Sequence, residues 1–168
     1  MEQIVRNEVK LIDIAHPLPL FNDYLKRGYY PFGLENEMEI RLGQIIIQTL
    51  ETDIPQYANL NVGTSRKLKK LLSIIAESVP FKPNFSKIAG IIEVSRNSLD
   101  DYFAYMEKAG LISHLRSETS GIRGLGKVDK VHLDNKNIIY NLVGDKSNTG
   151  NIRETFFHNQ MRLNNFTM

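Results

Sequence analysis

The sequence predicts a mainly α-helical fold with one small β-hairpin, and three observations support this class. Apolar residues recur at the three-and-four spacing of a single helical face in several segments of the chain. Two runs rich in strand formers, LISHL and VDKVHL, flank the glycine-containing segment SETSGIRGLGK, which has the composition of a hairpin tip. Three predicted helices followed by these strands are typical of a winged helix-turn-helix, here flanked by helical segments, with the glycine-containing segment as the wing.

Two helices are predicted before residue 60. The first runs from Leu20 to Lys26, between two prolines that favour a helix start and a glycine that ends it. The second covers residues 37–52 and is expected to end at Asp53-Ile54-Pro55, because proline interrupts a helix. Its apolar face is predicted to consist of Met38, Leu42, Ile45, Ile46 and Leu50.

The three helices of the winged-helix segment have recognisable starts. The first begins at Ser65, which makes Arg66, Lys67, Lys69 and Lys70 a basic first turn that is unfavourable against the helix dipole unless an anion lies near it. Asn84 is expected to cap the second helix and Ser95 the third. Leu99, Tyr102, Phe103 and Met106 form the apolar face of the third helix, which Gly110 should end in the left-handed conformation.

The chain divides into three predicted parts. Residues 1–60 form a helical, linker-like or lid-like segment, residues 61–134 the winged-helix domain, and residues 135–168 the helical start of a truncated third domain. In this last part, a helix over Asn151 to Leu163 is predicted to pack through an apolar face. That face comprises Ile152, Phe156, Phe157 and Met161.

Composition narrows the functional classes. No apolar run approaches the roughly 20 residues that cross a bilayer, and the amino-terminal segment lacks the apolar core of a secretion signal, so we expect a cytoplasmic protein without a membrane partner. The sequence contains no cysteine, which excludes disulfides, thiolate catalysis and cysteine-ligated zinc. Its four histidines are widely spaced and include no HExxH pair, so neither a metal site nor a cofactor is predicted.

The net charge of +2 conceals an asymmetry between the two parts of the chain. Residues 1–60 carry 5 basic and 9 acidic side chains, which gives −4, whereas residues 61–168 carry 16 basic and 10 acidic side chains, which gives +6. A basic carboxy-terminal part is compatible with a polyanionic partner, although the excess is modest beside that of dedicated DNA-binding proteins.

A partial match to a phosphate-binding loop occurs in the hairpin tip. Gly121 to Lys127 satisfies G-x-x-x-x-G-K, but Val128 stands where serine or threonine would bind magnesium. A phosphate loop also leads into a helix, whereas this segment leads into a strand-like run. We therefore interpret it as a glycine-rich hairpin tip.

Duplex DNA is the partner that the helix-turn-helix pattern predicts. In such proteins the first residues of the second helix meet the bases, a role that suits Arg96, Asn97 and Ser98. Phosphate contacts are predicted for basic residues of the wing. These are Arg116, Arg123, Lys127 and Lys130.

The same helix also supports a different hypothesis. Asp100, Asp101 and Glu107 are expected on its exposed side, where they would repel phosphates. A winged helix used for packing or protein docking therefore remains an open alternative. Acid/base catalysis by Asp100-Asp101, or by Glu154 and His158 four residues apart, is less favoured than surface solvation and an i,i+4 pairing.

Three long stretches resemble a known family. HPLPLFNDYLKRGYYPF, VSRNSLDDYFAYMEKAGLI and KNIIYNLVGDKSNTGNIRETFFHNQM are similar to successive segments of prokaryotic AAA-type ATPases. In that family an ATP-binding module precedes a winged helix and a restriction-endonuclease-like region of unknown function. The resemblance implies a bacterial source, and it implies that the chain corresponds to the carboxy-terminal, regulatory part of such a protein.

The resemblance also limits the expected activity. No Walker A or Walker B motif precedes the similar segments, so the ATPase module is absent and the chain is not expected to be an enzyme. Glu154 alone matches a position of interest in the nuclease-like region. The implied function is to couple an ATPase to DNA, with protein docking or a nuclease remnant as alternatives.

Overall fold

The computed structural model describes residues 13–78, 82–116, 128–144 and 148–163. It confirms the mainly helical class with a small antiparallel sheet. The helices are α1 (Pro17–Arg27), α2 (Met38–Gln48), α3 (Ile54–Ala58), α4 (Val62–Ser78), α5 (Phe85–Ile92), α6 (Arg96–Lys108), α7 (Lys136–Val143) and α8 (Thr149–Leu163). The strands are β1 (Ile112–Arg116) and β2 (Val128–Leu133). In the described part of the chain, none of these helices combines the length and apolarity needed to cross a membrane.

The two strands pair where the sequence predicts a hairpin. Ile112 lies opposite Leu133 and His114 opposite Val131, and the register shifts between Leu115 and Arg116. Because alternate residues of a strand face the same side, Ile112, Val131 and Leu133 are all buried against the helices. The predicted tip, residues 117–127, lies outside the described residues.

One cluster of buried apolar side chains includes residues from every helix and strand named above. The predicted apolar face of α6 is buried in full, since Leu99, Tyr102, Phe103 and Met106 all lie in the core. In α4, Leu68 and Leu71 are 0 % exposed at the spacing of one helical face. The buried positions of these helices therefore follow the helical spacing of their apolar residues. The division at residues 60 and 134 stays a prediction.

The predicted end of the second helix is wrong. Instead of stopping at Asp53-Ile54-Pro55, the chain passes through a π-helical turn, Thr49–Asp53, directly into α3. Pro55 falls in the first turn of α3, the part of a helix in which proline is most often found. The helical path ends at Asn59, which adopts the left-handed conformation with φ 50°. Ile45, expected in the core, is 42 % exposed.

The face of α8 also differs from the prediction. Ile152 is buried as expected, but Phe157 is 60 % exposed. Polar side chains take its place in the interior, namely Thr155, His158 and Asn159. Since α8 begins at Thr149, two residues before the predicted start, the error lies in the direction of the buried face and not in the existence of the helix.

Candidate nucleic-acid interface

The predicted helix-turn-helix corresponds to α5, α6 and the short connection between them. Asn84 Oδ1 accepts a hydrogen bond from the Lys87 N–H at 3.0 Å, and Ser95 Oγ accepts one from the Ser98 N–H at 3.1 Å. Both side chains satisfy backbone donors that a helix start leaves without partners. Both predicted caps are therefore confirmed. Gly110 has the expected left-handed conformation, with φ 70°.

Two lysines of α4 close the carboxyl end of α5. Lys67 Nζ donates to the Glu93 carbonyl at 2.8 Å and Lys70 Nζ donates to the Ile91 carbonyl at 2.7 Å. The final carbonyls of a helix carry partial negative charge, which attracts cations. Because α4 begins at Val62 and not at Ser65, these lysines lie beyond its first turn. The predicted conflict with the dipole of α4 is thus wrong, and the lysines serve the dipole of α5.

The predicted base-contacting residues lie together at the start of α6. Arg96 and Asn97 are exposed, whereas Ser98 is half-buried, with its hydroxyl 2.8 Å from that of Ser95. The Arg96 guanidinium lies 5.7 Å from the centre of the Phe85 ring, a cation–π distance that orients it. Arg96 and Asn97 are therefore available to a ligand, while Ser98 belongs to the cap.

The predicted wing residues are not assembled into one described surface. Lys130 Nζ donates to Glu154 Oε1 of α8 at 2.5 Å, so its charge is shared with a carboxylate. Arg116 ends β1, and its side chain lies outside the described part of the structure. Arg123 and Lys127 lie outside the described residues altogether. The phosphate-loop match was rejected because a strand-like run follows it, and Val128 does begin a strand and not a helix.

Acidic groups share the exposed side of α6. Asp100 and Asp101 are exposed one turn beyond Arg96 and Asn97. Glu107 was predicted to be exposed, but it is half-buried, and its Oε2 lies 2.9 Å from His114 Nδ1. Glu154 and His158 were predicted to pair with each other, but each has a different partner. Glu154 contacts Lys130, and His158 Nε2 lies 3.1 Å from Ser113 Oγ.

A buried polar cluster, which the sequence did not reveal, surrounds the start of α7. Asn135 caps this helix by accepting from the N–H groups of Asn137 and Ile138, at 3.0 and 3.2 Å. Asn137 connects distant elements, because it accepts from the Tyr29 N–H at 2.8 Å and donates to the Leu25 carbonyl at 3.1 Å. The cluster comprises Ser113, His132, Asp134, Asn135, Lys136, Asn137, Thr155, His158 and Asn159.

Lys136 is the least expected member of this cluster. Its side chain is 0 % exposed, and its ammonium lies 3.8 Å from the centre of the Tyr24 ring and 4.6 Å from that of Phe156. Burial lowers the pKa of Lys136 to about 8. The facing rings favour the ammonium and so offset part of this effect. Lys136 thereby joins α7 to α1 and α8.

His132 and His158 form the second unusual feature. Their rings are stacked, with centroids 4.4 Å apart and an angle of 16° between the planes. Burial, assisted by His158, lowers the pKa of His132 to about 4. Burial also lowers the pKa of His158, with a further contribution from Arg162. Both rings are therefore neutral at physiological pH. Within the described ranges, no group of three metal-ligating side chains occurs.

One weak signal for this cluster is present in the sequence. Asp134, Asn135 and Asn137 follow a strand and precede an apolar helix, which is a place where capping residues occur. Their polarity nevertheless predicts an exposed turn, because burial of such groups requires partners that come from distant parts of the chain.

Comparison with known families identifies the chain. The sequence model of a family described as a domain of unknown function, DUF8612, matches residues 18–148. Because this match covers more than half of the sequence, the chain belongs to that family. The matched residues include all of α1 except Pro17, the helices α2 to α7 and both strands. No curated protein and no solved structure matches the chain.

Proposed function

We propose that this chain is a non-catalytic module that couples an AAA-type ATPase to duplex DNA through a winged helix. The observation that carries the proposal is the start of α6, where Arg96 and Asn97 are exposed on a doubly capped helix-turn-helix. The amino end of a helix attracts phosphate, and arginine and asparagine are residues that contact bases in the major groove. The sequence resemblance described above supports the ATPase as the coupled partner.

The acidic side chains of α6 predict weak and salt-sensitive binding. Asp100 and Asp101 lie close to the proposed contact and repel phosphates, while Lys130 is partly neutralised by Glu154. Affinity should therefore depend on few phosphate contacts. It should fall with salt concentration, because each contact releases condensed counterions from the duplex.

Fluorescence anisotropy with a labelled duplex over a series of salt concentrations tests this proposal. Arg96→Ala with Asn97→Ala should weaken binding about tenfold at every salt concentration, because both side chains are proposed to contact bases. Lys108→Ala is the matched control, since Lys108 lies at the opposite end of α6 and bonds the Tyr57 hydroxyl. Equal losses in the double variant and in the control would contradict the proposed contact.

The wing is tested separately. Arg123→Ala with Lys127→Ala should also weaken binding if the hairpin tip contacts phosphates, as its sequence predicts. Asp100→Asn with Asp101→Asn should tighten binding, because the substitutions remove two repulsive charges without changing the size of the side chains. An unchanged affinity for duplex DNA in both of these double variants would argue against a duplex lying along α6.

Protein docking is the second candidate, favoured by the exposed Asp100 and Asp101 on the helix that would otherwise face DNA. If the wild-type chain does not bind duplex DNA even at low salt, this candidate replaces the first.

The proposed coupling to an ATPase is tested by the genomic sequence, in which we expect a phosphate-loop ATPase to be encoded directly upstream of Met1. The absence of an encoded ATPase at this place in the genome would contradict the proposed coupling.

A nuclease remnant is the third candidate, and it rests on the resemblance at Glu154. Glu154 is engaged by Lys130 and is half-buried, which favours a structural role. A plasmid-nicking assay with Mg²⁺ distinguishes the roles. Cleavage that disappears in Glu154→Ala would make the chain an enzyme and overturn the non-catalytic part of the proposal.

A further inference from the structure

Three cations of α4 lie beside the connection that joins α5 to α6. Lys70 Nζ lies 2.7 Å from the Ile91 carbonyl oxygen, in the last turn of α5. One turn earlier in α4, Lys67 Nζ lies 2.8 Å from the carbonyl oxygen of Glu93, which follows the last residue of α5. α4 therefore runs back along α5 towards the start of α6. Arg66, the next residue in this direction, is exposed. We call Arg66, Lys67 and Lys70 the basic edge.

The hydrogen bonds to these carbonyls use only part of the capacity of the two lysines. An ammonium carries three N–H donors, and one carbonyl satisfies one of them. In the described part of the chain, no carboxylate forms an ion pair with a cation of the basic edge, whereas Lys69 of the same helix is paired with Glu51. Arg66 and Lys70 are exposed, and Lys67 is half-buried. The lysine charges are thus fixed in position and still accessible to an anion.

The charge of this surface differs from that of the exposed start of α6. The three cations are accompanied by two exposed carboxylates, Glu93 after α5 and Glu77 two helical turns beyond the last lysine, so the net charge is +1. At the start of α6, Asp100 and Asp101 outweigh Arg96, which gives −1. A polyanion is therefore attracted to the basic edge more strongly than to the start of α6.

The basic edge is close to the residues that are proposed to contact bases. Glu93 lies three residues before Arg96, and three residues of extended chain span at most about 11 Å. The phosphates of one DNA strand follow one another at about 3.4 Å along the helix axis, so this distance corresponds to about three phosphates. A strand beside the start of α6 can therefore extend to Lys67, whose ammonium is bonded to Glu93.

We propose that the basic edge binds the phosphate backbone of the duplex whose bases are contacted from the start of α6. This inference rests on the proposed DNA function, and it adds a contact surface outside α6 and the predicted wing. Phosphate contacts position a protein on a duplex, whereas base contacts specify the sequence. The basic edge thus supplies positioning charge that Lys130 supplies only in part, because Lys130 is bonded to Glu154.

Fluorescence anisotropy of the full chain with a labelled duplex, over a series of salt concentrations, tests this contact. Arg66→Gln removes one charge without breaking a hydrogen bond among the described residues, and it should lower the salt slope by about 1. The affinity should fall equally for duplexes of different sequence, because all of them carry the same phosphates. Lys69→Gln is the matched control, since it removes one charge from the same helix but Lys69 is directed at Glu51, and it should keep the wild-type slope.

The two lysines are tested by a pair of double variants. Lys67→Gln with Lys70→Gln keeps an N–H donor for each of the two carbonyls but removes two charges, so the salt slope should fall by about 2. Lys67→Arg with Lys70→Arg keeps both charges and should retain the wild-type slope. An equal loss in both double variants would mean that the lysines act only on the fold, and it would overturn the proposed contact.

The results separate the basic edge from the proposed function. If Arg96→Ala with Asn97→Ala weakens binding but Arg66→Gln keeps the wild-type salt slope, the basic edge does not contact the duplex and the proposed function stands. If Arg66→Gln and Lys69→Gln lower the slope equally, the effect is one of net charge, and the assignment to this edge is overturned. A wild-type chain that does not bind duplex DNA at low salt overturns both the basic edge and the proposed function.

Discussion

Lowering the pH should destabilise the protein through His132. This ring is 1 % exposed and stacked on His158, and its pKa of about 4 lies below the ordinary value of 6.5. When the pH falls below 6.5, the unfolded chain binds a proton at His132 but the folded chain does not, so the unfolded state is favoured. The loss should therefore begin near pH 6.5 and end once the pH is below about 4.

The size of the effect follows from the difference between the two pKa values. Each unit corresponds to about 1.4 kcal/mol, so a difference of about 2.5 units gives a limit of about 3 kcal/mol. At about pH 5 the loss should already be about 2 kcal/mol. His158 adds to the loss, because burial lowers its pKa as well.

Urea denaturation followed by circular dichroism, at about pH 7 and about pH 5, measures the effect. His132→Phe keeps an aromatic ring against His158 but cannot bind a proton, so the variant should lose less stability than the wild type over this interval. His16→Asn is the control, since His16 is exposed at the start of α1 and asparagine tolerates its left-handed backbone with φ 54°. The same pH dependence in His132→Phe and in the wild type would refute the reasoning.

Three further substitutions test the buried polar cluster and the closure of α5. Lys136→Met should raise the free energy of unfolding near neutral pH by about 1–2 kcal/mol, with the gain fading as the pH rises from about 8 to 10.5, because the wild type loses its buried charge. Asn135→Ala should cost about 2 kcal/mol in urea denaturation, against about 1 kcal/mol for the exposed cap Asn84→Ala. Lys70→Ala should lower the melting temperature slightly, whereas the exposed Arg66→Ala should not.

The sequence predicts the elements whose signals are local. Asn84 and Ser95 cap helices through hydrogen bonds to N–H groups three residues later, so the four-residue patterns contain all the required information. The apolar spacing of α4 and α6 likewise follows from helical periodicity alone. The helix-turn-helix segment is therefore the part of the candidate site that could be predicted.

Other features depend on partners that are distant in sequence. Hydropathy places Lys136 on the surface, and its burial depends on Tyr24, which lies 112 residues earlier and approaches only in the folded chain. The buried face of α8 is polar because it meets His132 and Asp134, which no periodicity within α8 can indicate. Pro55 follows the rule for helix starts once the π-helical turn is known, but the sequence does not reveal that turn.

The hydrogen bonds of Asn137 have a consequence for the order of folding. They hold the end of α1 through Leu25 and Tyr29, across 112 and 108 residues of chain. Closing a loop of this length requires a large loss of chain entropy before any contact forms, and contacts of high sequence separation slow folding. During synthesis α1 must therefore wait until α7 has left the ribosome before it can dock. In pulse-labelling hydrogen exchange, the amide of Tyr29 should gain protection later than the amides of α5 and α6, whose caps close within four residues.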